Sequence, residues 1–126
     1  MDFSGSWKLC EQDNPEAFLR AISAPEIYIK MMKEVKPVTV IEQKGEEFSI
    51  CVKTALRSHT NTFSIGTETE FNTMDGKKIK GTARLVDGKI VIESDKFTHV
   101  RELQGEEMIE TLTAGGATLV RRSRRL

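Results

Sequence analysis

What this sequence lacks narrows the field before anything in it is read. It has no surplus of charge, because 19 Lys and Arg stand against 19 Asp and Glu, so no broad basic field exists to draw the protein onto nucleic acid. Any recognition of an anion has to be local. Large aromatics are scarce, with Trp7 and Tyr28 the only Trp and Tyr, which argues against a platform for stacking bases. The two cysteines, Cys10 and Cys51, have neither metal-ligand spacing nor the density of a disulfide framework, a usage that suits a reducing compartment. The spacing leaves a bridge between them open. Residues 1–14 contain no basic start followed by a long apolar run, so neither a signal peptide nor a membrane span is expected and the cytosol is the predicted location. There is no G-x-S-x-G elbow, no phosphate-cradling loop and no H-E-x-x-H run. The expectation is a protein that is not an enzyme and uses no cofactor and no metal. No internal repeat, low-complexity tract or linker interrupts the chain, and its 126 residues suit one domain, 1–126.

What is present falls into two parts. A helical stretch is predicted from about Pro15 to Lys36. Asp13 or Asn14 can cap it, Pro15 suits the first helical position, and Phe18, Leu19 and Ile22 return at helical spacing. Ser23-Ala24-Pro25 breaks the pattern; Pro25-Glu26 restarts it, with Ile27, Met31 and Val35 on one face until Lys36-Pro37. This is a helix-turn-helix.

From Val38 onward, short runs rich in Val, Ile, Thr and Phe alternate with turn signals at Gly45, Gly66, Asp75-Gly76, Asp87-Gly88, Gly105 and Gly115-Gly116. Glycine supplies the positive φ of tight hairpins, so the pattern reads as an antiparallel meander. With Phe3 to Cys10 as the first strand, the count reaches about ten. Ten strands pack poorly as one open sheet, and closing them removes exposed edges. A closed sheet of that size is wide enough to leave an internal cavity.

Particular residues then resemble those of a known family. Phe3-Ser4-Gly5-Ser6-Trp7-Lys8-Leu9, the helix pair beginning near Pro15, Lys36-Pro37-Val38-Thr39, Asn61-Thr62-Phe63, Thr73-Met74-Asp75-Gly76-Lys77-Lys78 and Arg121-Arg122-Ser123 together resemble the intracellular lipid-binding proteins over essentially the whole chain. Met74 to Lys78, Phe97-Thr98-His99 and Glu107 to Thr113 are most similar to the liver bile acid-binding proteins of non-mammalian vertebrates, also called liver basic-type fatty-acid-binding proteins. The resemblance implies a mainly β fold, a ten-stranded antiparallel β-barrel (a lipocalin-like β-clam) with a helix-turn-helix lid. It also implies cytosolic carriage of poorly soluble acids without a cofactor. The chain departs from the pattern at Pro15, where relatives commonly have an aromatic, and at Ser123, where the fatty-acid carriers have the tyrosine of an Arg-x-Tyr ending. The missing tyrosine shifts the expected cargo from fatty acid toward bile acid.

The candidate ligand-binding residues follow from that match. Alternation puts Arg121 and Ser123 on one face of the last strand and Arg122 and Arg124 on the other; sequence alone does not say which is inside. The resemblance implies that Leu119, Arg121 and Ser123 face the cavity. An interior arginine needs a carboxylate, from the ligand or from the protein. Glu110, between Met108 and Leu112, is on the face the family turns inward and could pair with Arg121; without the match it reads equally well as a solvated strand position. His99 and Arg101 share a face that contacts ligand in the bile acid-binding relatives, where close relatives often carry an amide at the position of Arg101. His99 reads just as well as an ordinary packed histidine.

Phe63, Ile79, Ile90, Ile92 and Leu112 are the expected apolar wall. Met31, Leu56 and Met74 fall in the family's portal region, Thr73 is a further candidate ligand contact, and Lys77 is placed to meet the acidic end of a ligand at the mouth. The predicted partners are a bile acid or fatty acid and, through the basic ending, a transient anionic membrane surface. Nucleic acid is not expected, and the chain is expected to be a monomer. The competing readings are a small β-barrel that binds nucleic acid, suggested by the arginine tail, and a protein-interaction module whose barrel is filled by its own side chains.

Overall fold

The computed structural model describes residues 3–13, 15–55, 57–73 and 76–126. Glycines in the left-handed region close the hairpins that the sequence marks: Gly45 at φ 63° and Gly105 at φ 63° each turn the chain where no Cβ contact is possible. Between the turns run β1 (Gly5–Asp13), β2 (Val38–Lys44), β3 (Glu47–Lys53), β4 (Ser58–Ser64), β5 (Glu68–Asn72), β6 (Lys78–Val86), β7 (Lys89–Ser94), β8 (Thr98–Gln104), β9 (Glu107–Ala114) and β10 (Ala117–Arg125). They form one ten-stranded antiparallel sheet in the order β4-β3-β2-β1-β10-β9-β8-β7-β6-β5. The sheet curls into a nearly closed barrel, as expected, with the strands from the two ends of the chain paired in its middle.

The curl leaves a seam between β4 and β5. No ladder joins these strands among the described residues. Instead the Asn61 amide Nδ2–H donates to the Asn72 carbonyl at 2.9 Å, and the Asn72 N–H donates to Asn61 Oδ1 at 2.7 Å. One side chain thus stands in for a pair of backbone groups. Beneath it the rings of Phe63 and Phe71 meet at 5.4 Å across the gap.

Two helices, α1 (Pro15–Ala21) and α2 (Glu26–Glu34), connect β1 to β2. The predicted capping residue Asn14 lies outside the described residues. The break between the helices is a Schellman ending: Ser23 takes φ 61°, its N–H bonds to the Arg20 carbonyl at 3.1 Å, and the Ala24 N–H bonds to the Leu19 carbonyl at 3.0 Å. Pro25, extended at ψ 149°, then starts α2 without a side-chain cap. Gln12 ties the pair down, donating from Nε2 to the Met32 carbonyl at 2.8 Å. No helix among the described residues is long and apolar enough to cross a membrane.

Alternation along the strands sends Phe48 and Ile50, Met108 and Leu112, and Leu119 and Ser123 inward. The interior packs as two clusters. At the end away from the helices, Phe3, Trp7, Ile41, Phe48, Phe63 and Ile90 form a floor, with Phe48 and Phe63 stacked at 5.4 Å. Trp7 is wholly buried there and donates its indole N–H to the Phe3 carbonyl at 3.0 Å. The Arg125 guanidinium covers its ring at 4.2 Å and bonds to the Ser4 carbonyl at 2.7 Å. That strap requires a glycine at Gly5, where a Cβ would come within 2.6 Å of the guanidinium. Under the helices, Phe18, Leu19, Ile29, Met32, Leu112 and Leu119 form the second cluster.

Candidate functional site

Between floor and lid the barrel stays hollow. A cavity of about 170 Å³ is walled by Ile50, Val52, Phe63, Phe71, Ile79 and Ile92 and roofed by Tyr28 and Met32 from α2. A second lobe of about 110 Å³ lies under α1, against Phe18, Leu19 and Leu119, and shares Tyr28, Met32, Thr73, Phe97 and Arg121 with the first. The two lobes adjoin, with Phe97 and Arg121 among the residues on the boundary between them.

The charged groups form a belt on the wall of this space. Strand register sets it: Glu110 on β9 stands opposite Arg101 on β8 and opposite Arg121 on β10, with all three side chains on inward positions. His99, two residues before Arg101, reaches Glu110 diagonally, Nε2 to Oε2 at 2.8 Å. Arg101 Nε lies 3.8 Å from the same oxygen. The side chains of Glu110, Arg101 and His99 are only 4%, 8% and 12% exposed.

Burial alone would push the Glu110 carboxyl up, but Arg101, the His99 hydrogen bond and the charge of Arg121 together hold it well below the usual carboxylate range. His99 goes the other way from a typical paired histidine. Burial, reinforced by Arg101, outweighs the attraction of Glu110 and brings it down to about 4. The imidazole is thus neutral at neutral pH and donates Nε2–H to the carboxylate. Burial also lowers the Arg101 guanidinium, with Glu110 opposing, yet arginine stays charged in proteins.

The belt accordingly carries two guanidiniums against one carboxylate. Glu110 compensates Arg101. Among the described residues Arg121 has no ion pair, and the Nε atoms of both arginines are buried without a hydrogen-bond partner. One positive charge inside the barrel is left over. An enclosed charge without a counter-ion is costly, so the arrangement is suited to an anion supplied from outside.

The structure brings most of the expected residues together. Arg121, His99, Arg101, Glu110, Phe63, Thr73, Ile92, Leu112 and Ile79 all line the first lobe, and Lys77 the second. The expected pairing of Glu110 with Arg121 differs in detail: the ion partners of Glu110 are His99 and Arg101, and Arg121 acts on it through charge. Ile90 was expected at the wall but is wholly buried in the floor. Ser123 is buried one turn of alternation below Arg121, between Leu9 and Met108 in the strand register, and does not touch the cavity. Met31 packs against the lid cluster on its outer side. Leu56 and Met74 lie outside the described residues.

Sequence reasoning missed Thr39 on β2, His59 and Asn61 on β4, and Tyr28 and Met32 on α2, all of which line the cavity. The signal for β4 was present, since Asn61 and His59 step back by twos from Phe63. Cys10 and Cys51 are both free thiols.

The model of the lipocalin / cytosolic fatty-acid binding protein family matches residues 1–126, and the chain belongs to that family. It is 55% identical over 126 residues to a liver fatty acid-binding protein of Schroederichthys bivius, covering all of both chains. With liver fatty acid-binding protein 1 of Ambystoma mexicanum it shares 37% over 125 residues, 98% of this chain and 99% of that one. Among solved structures, a Schistosoma mansoni fatty acid binding protein in complex with arachidonic acid superimposes with a TM-score of 0.93 at 25% identity, over 98% of this chain and 96% of the other. The REP1-NXSQ fatty acid transporter gives 0.95 at 24% identity, over 99% and 96%, a likeness of fold.

Proposed function

We propose that the protein is a non-enzymatic carrier that takes a long-chain acidic lipid, a fatty acid or a bile acid, into its barrel and moves it through the cytosol as a monomer. The observation that carries this reading is the uncompensated positive charge of the belt, set in a mostly apolar, roofed cavity. A carboxylate at Arg121 would neutralise it while the hydrocarbon body covers the apolar wall. The names of the relatives support an acidic lipid as cargo. A barrel filled by its own side chains would have no such hollow. The exposed Arg122 and Arg124 of β10 point away from the cavity and are available to steer encounters with anionic membranes.

A ligand of roughly 20 to 30 non-hydrogen atoms, at about −0.3 kcal/mol each, reaches about −6 to −9 kcal/mol, which is micromolar binding. The test is calorimetry with oleate and with oleyl alcohol, its neutral analogue. Arg121→Gln is expected to weaken oleate about tenfold or more, as for loss of a charged hydrogen bond, and to leave the alcohol nearly unchanged. Equal loss for both would make Arg121 a structural residue.

A further inference from the structure

The orphaned polar atoms of the cavity are not all of one kind. The Nε of Arg101 and the Nε of Arg121 are donors, and donors only. The third, Nδ1 of His59, is also buried without a partner among the described residues. His59 stands on the inward face of β4, in line with Asn61 and Phe63 and opposite Val52 of β3. Asn61 has spent its amide on the seam, and Phe63 is packed in the floor. His59 is the polar side chain of that column left facing the ligand space.

Its ring is in reach of the Arg101 charge, and burial together with that charge holds the imidazole below its ordinary value. The ring is therefore neutral at neutral pH, with one nitrogen free to accept. This makes it unlike the arginines. A carboxylate can only accept hydrogen bonds, so it satisfies a guanidinium and offers nothing to an accepting nitrogen. A hydroxyl does both at once: its oxygen accepts from an N–H and its hydrogen is given to an acceptor.

The belt also divides the arginines. Arg101 has its charge answered by Glu110 at 3.8 Å and needs only a hydrogen-bond acceptor for Nε. Arg121 has no ion pair among the described residues and brings the charge that needs an anion.

We propose that His59 and Arg101 form a hydroxyl-reading subsite, so that the favoured cargo of this barrel is an acidic lipid that carries a hydroxyl on its body. The carboxylate meets Arg121; the hydroxyl accepts from Arg101 Nε–H and donates to His59 Nδ1. This rests on the acidic-lipid reading above and narrows its substrate class. A site built around buried polar atoms discriminates against the analogue that lacks their partner, because that analogue leaves them unpaired.

The test uses the delipidated full chain and two pairs of acids: hydroxystearate against stearate, and cholate against cholanic acid, its counterpart without hydroxyls. Dissociation constants are measured by calorimetry. The wild type is expected to prefer the hydroxylated member of at least one pair by roughly tenfold, and the pair that shows the preference identifies the cargo as a hydroxy fatty acid or a sterol acid. His59→Phe is expected to erase the preference, bringing the hydroxylated member of the pair down to the affinity of its partner without hydroxyls. His59→Gln, which keeps an accepting oxygen, is expected to retain part of it.

Equal binding of both members of both pairs overturns the subsite, as does a preference that survives His59→Phe. A loss of all four acids in His59→Phe and His59→Gln alike assigns the residue to structure instead, and a thermal melt of each variant separates that from unfolding. If the acids bind the wild type but neither pair shows a preference, the carrier reading stands and the subsite falls. If none of the four acids binds, both fall together.

Discussion

The two ends of the barrel are built by different means. At the floor, the connections β2–β3, β4–β5, β6–β7 and β8–β9 each turn on a glycine with positive φ, and the space between them is filled by stacked rings and strapped by Arg125. At the lid end, three turns are held by hydroxyl side chains that both accept and donate. Thr54 clamps Arg57, Thr73 clamps Lys77 and Ser94 clamps Phe97, the last with Oγ donating to the carbonyl at 2.8 Å and accepting from the N–H at 3.2 Å. The lid cluster is roofed by two short helices whose mutual ion pairs, Arg20 with Glu16 and Glu26 and Lys33 with Glu16, are all solvent-exposed and so contribute little. One end is closed by packing. The other is closed by side-chain bonds that can be exchanged for water.

The comparison is broken or sharpened by three measurements, in falling order of effect. Phe48→Ala removes a ring stacked in the floor and is expected to cost about 3–5 kcal/mol of global stability in urea unfolding. Ile29→Ala, buried to a similar degree under the lid, is expected to cost nearer 2 kcal/mol, with faster amide exchange confined to α1 and α2, because a lid can open without unfolding the floor. Equal global costs and exchange spread through the sheet would abolish the distinction between the ends.

The belt between them supplies the smallest effect per step of the experiment, a slope with pH. The native His99 titrates at about 4, below its unfolded value of 6.5, so on acidification the unfolded chain takes up this proton first. Stability is therefore lost as pH falls from about 6.5 toward 4, by at most about 1.4 kcal/mol per pH unit. Glu110, also lowered in the native state, adds a loss in the same direction below about pH 4.5. His99→Gln is expected to flatten the upper part of that curve and leave the part below it; an unchanged slope would mean that the imidazole is not held neutral.

The floor was legible in the sequence because its devices are local. Gly45, Gly66, Gly88 and Gly105 announce their turns by residue type, and alternation sorts Phe48 and Ile50 from their neighbours. The turns at Thr54–Arg57 and Ser94–Phe97 contain no glycine and draw their hydrogen bonds from a Thr and a Ser that read equally well as strand residues. The belt was half legible. Period two places His99 with Arg101 and Glu110 with Leu112, but which carboxylate meets which cation depends on how β8, β9 and β10 are aligned across the sheet. Ile90 and Ser123 face inward as the pattern says; the height at which the packed floor gives way to the hollow is set by ring volumes, which alternation does not encode. His59 was passed over although it steps back by twos from Phe63, because that alternation does not say which groups face it across the barrel.

The seam at Asn61 and Asn72 has a consequence for the order of the chain itself. Sheet neighbours follow sequence neighbours everywhere except where β1 pairs with β10, and there the start of β1 lies beside the end of β10, with the Leu126 N–H bonded to the Ser6 carbonyl at 2.8 Å. A gene rearranged to join those ends by a short linker and to begin at β5 would encode β5 through β10 and then β1 through β4. Its strands would cross the sheet from one edge to the other without a single jump. The first and last strands lie side by side in the middle of the sheet, and the cut that would straighten the strand order is the one the fold has already left open.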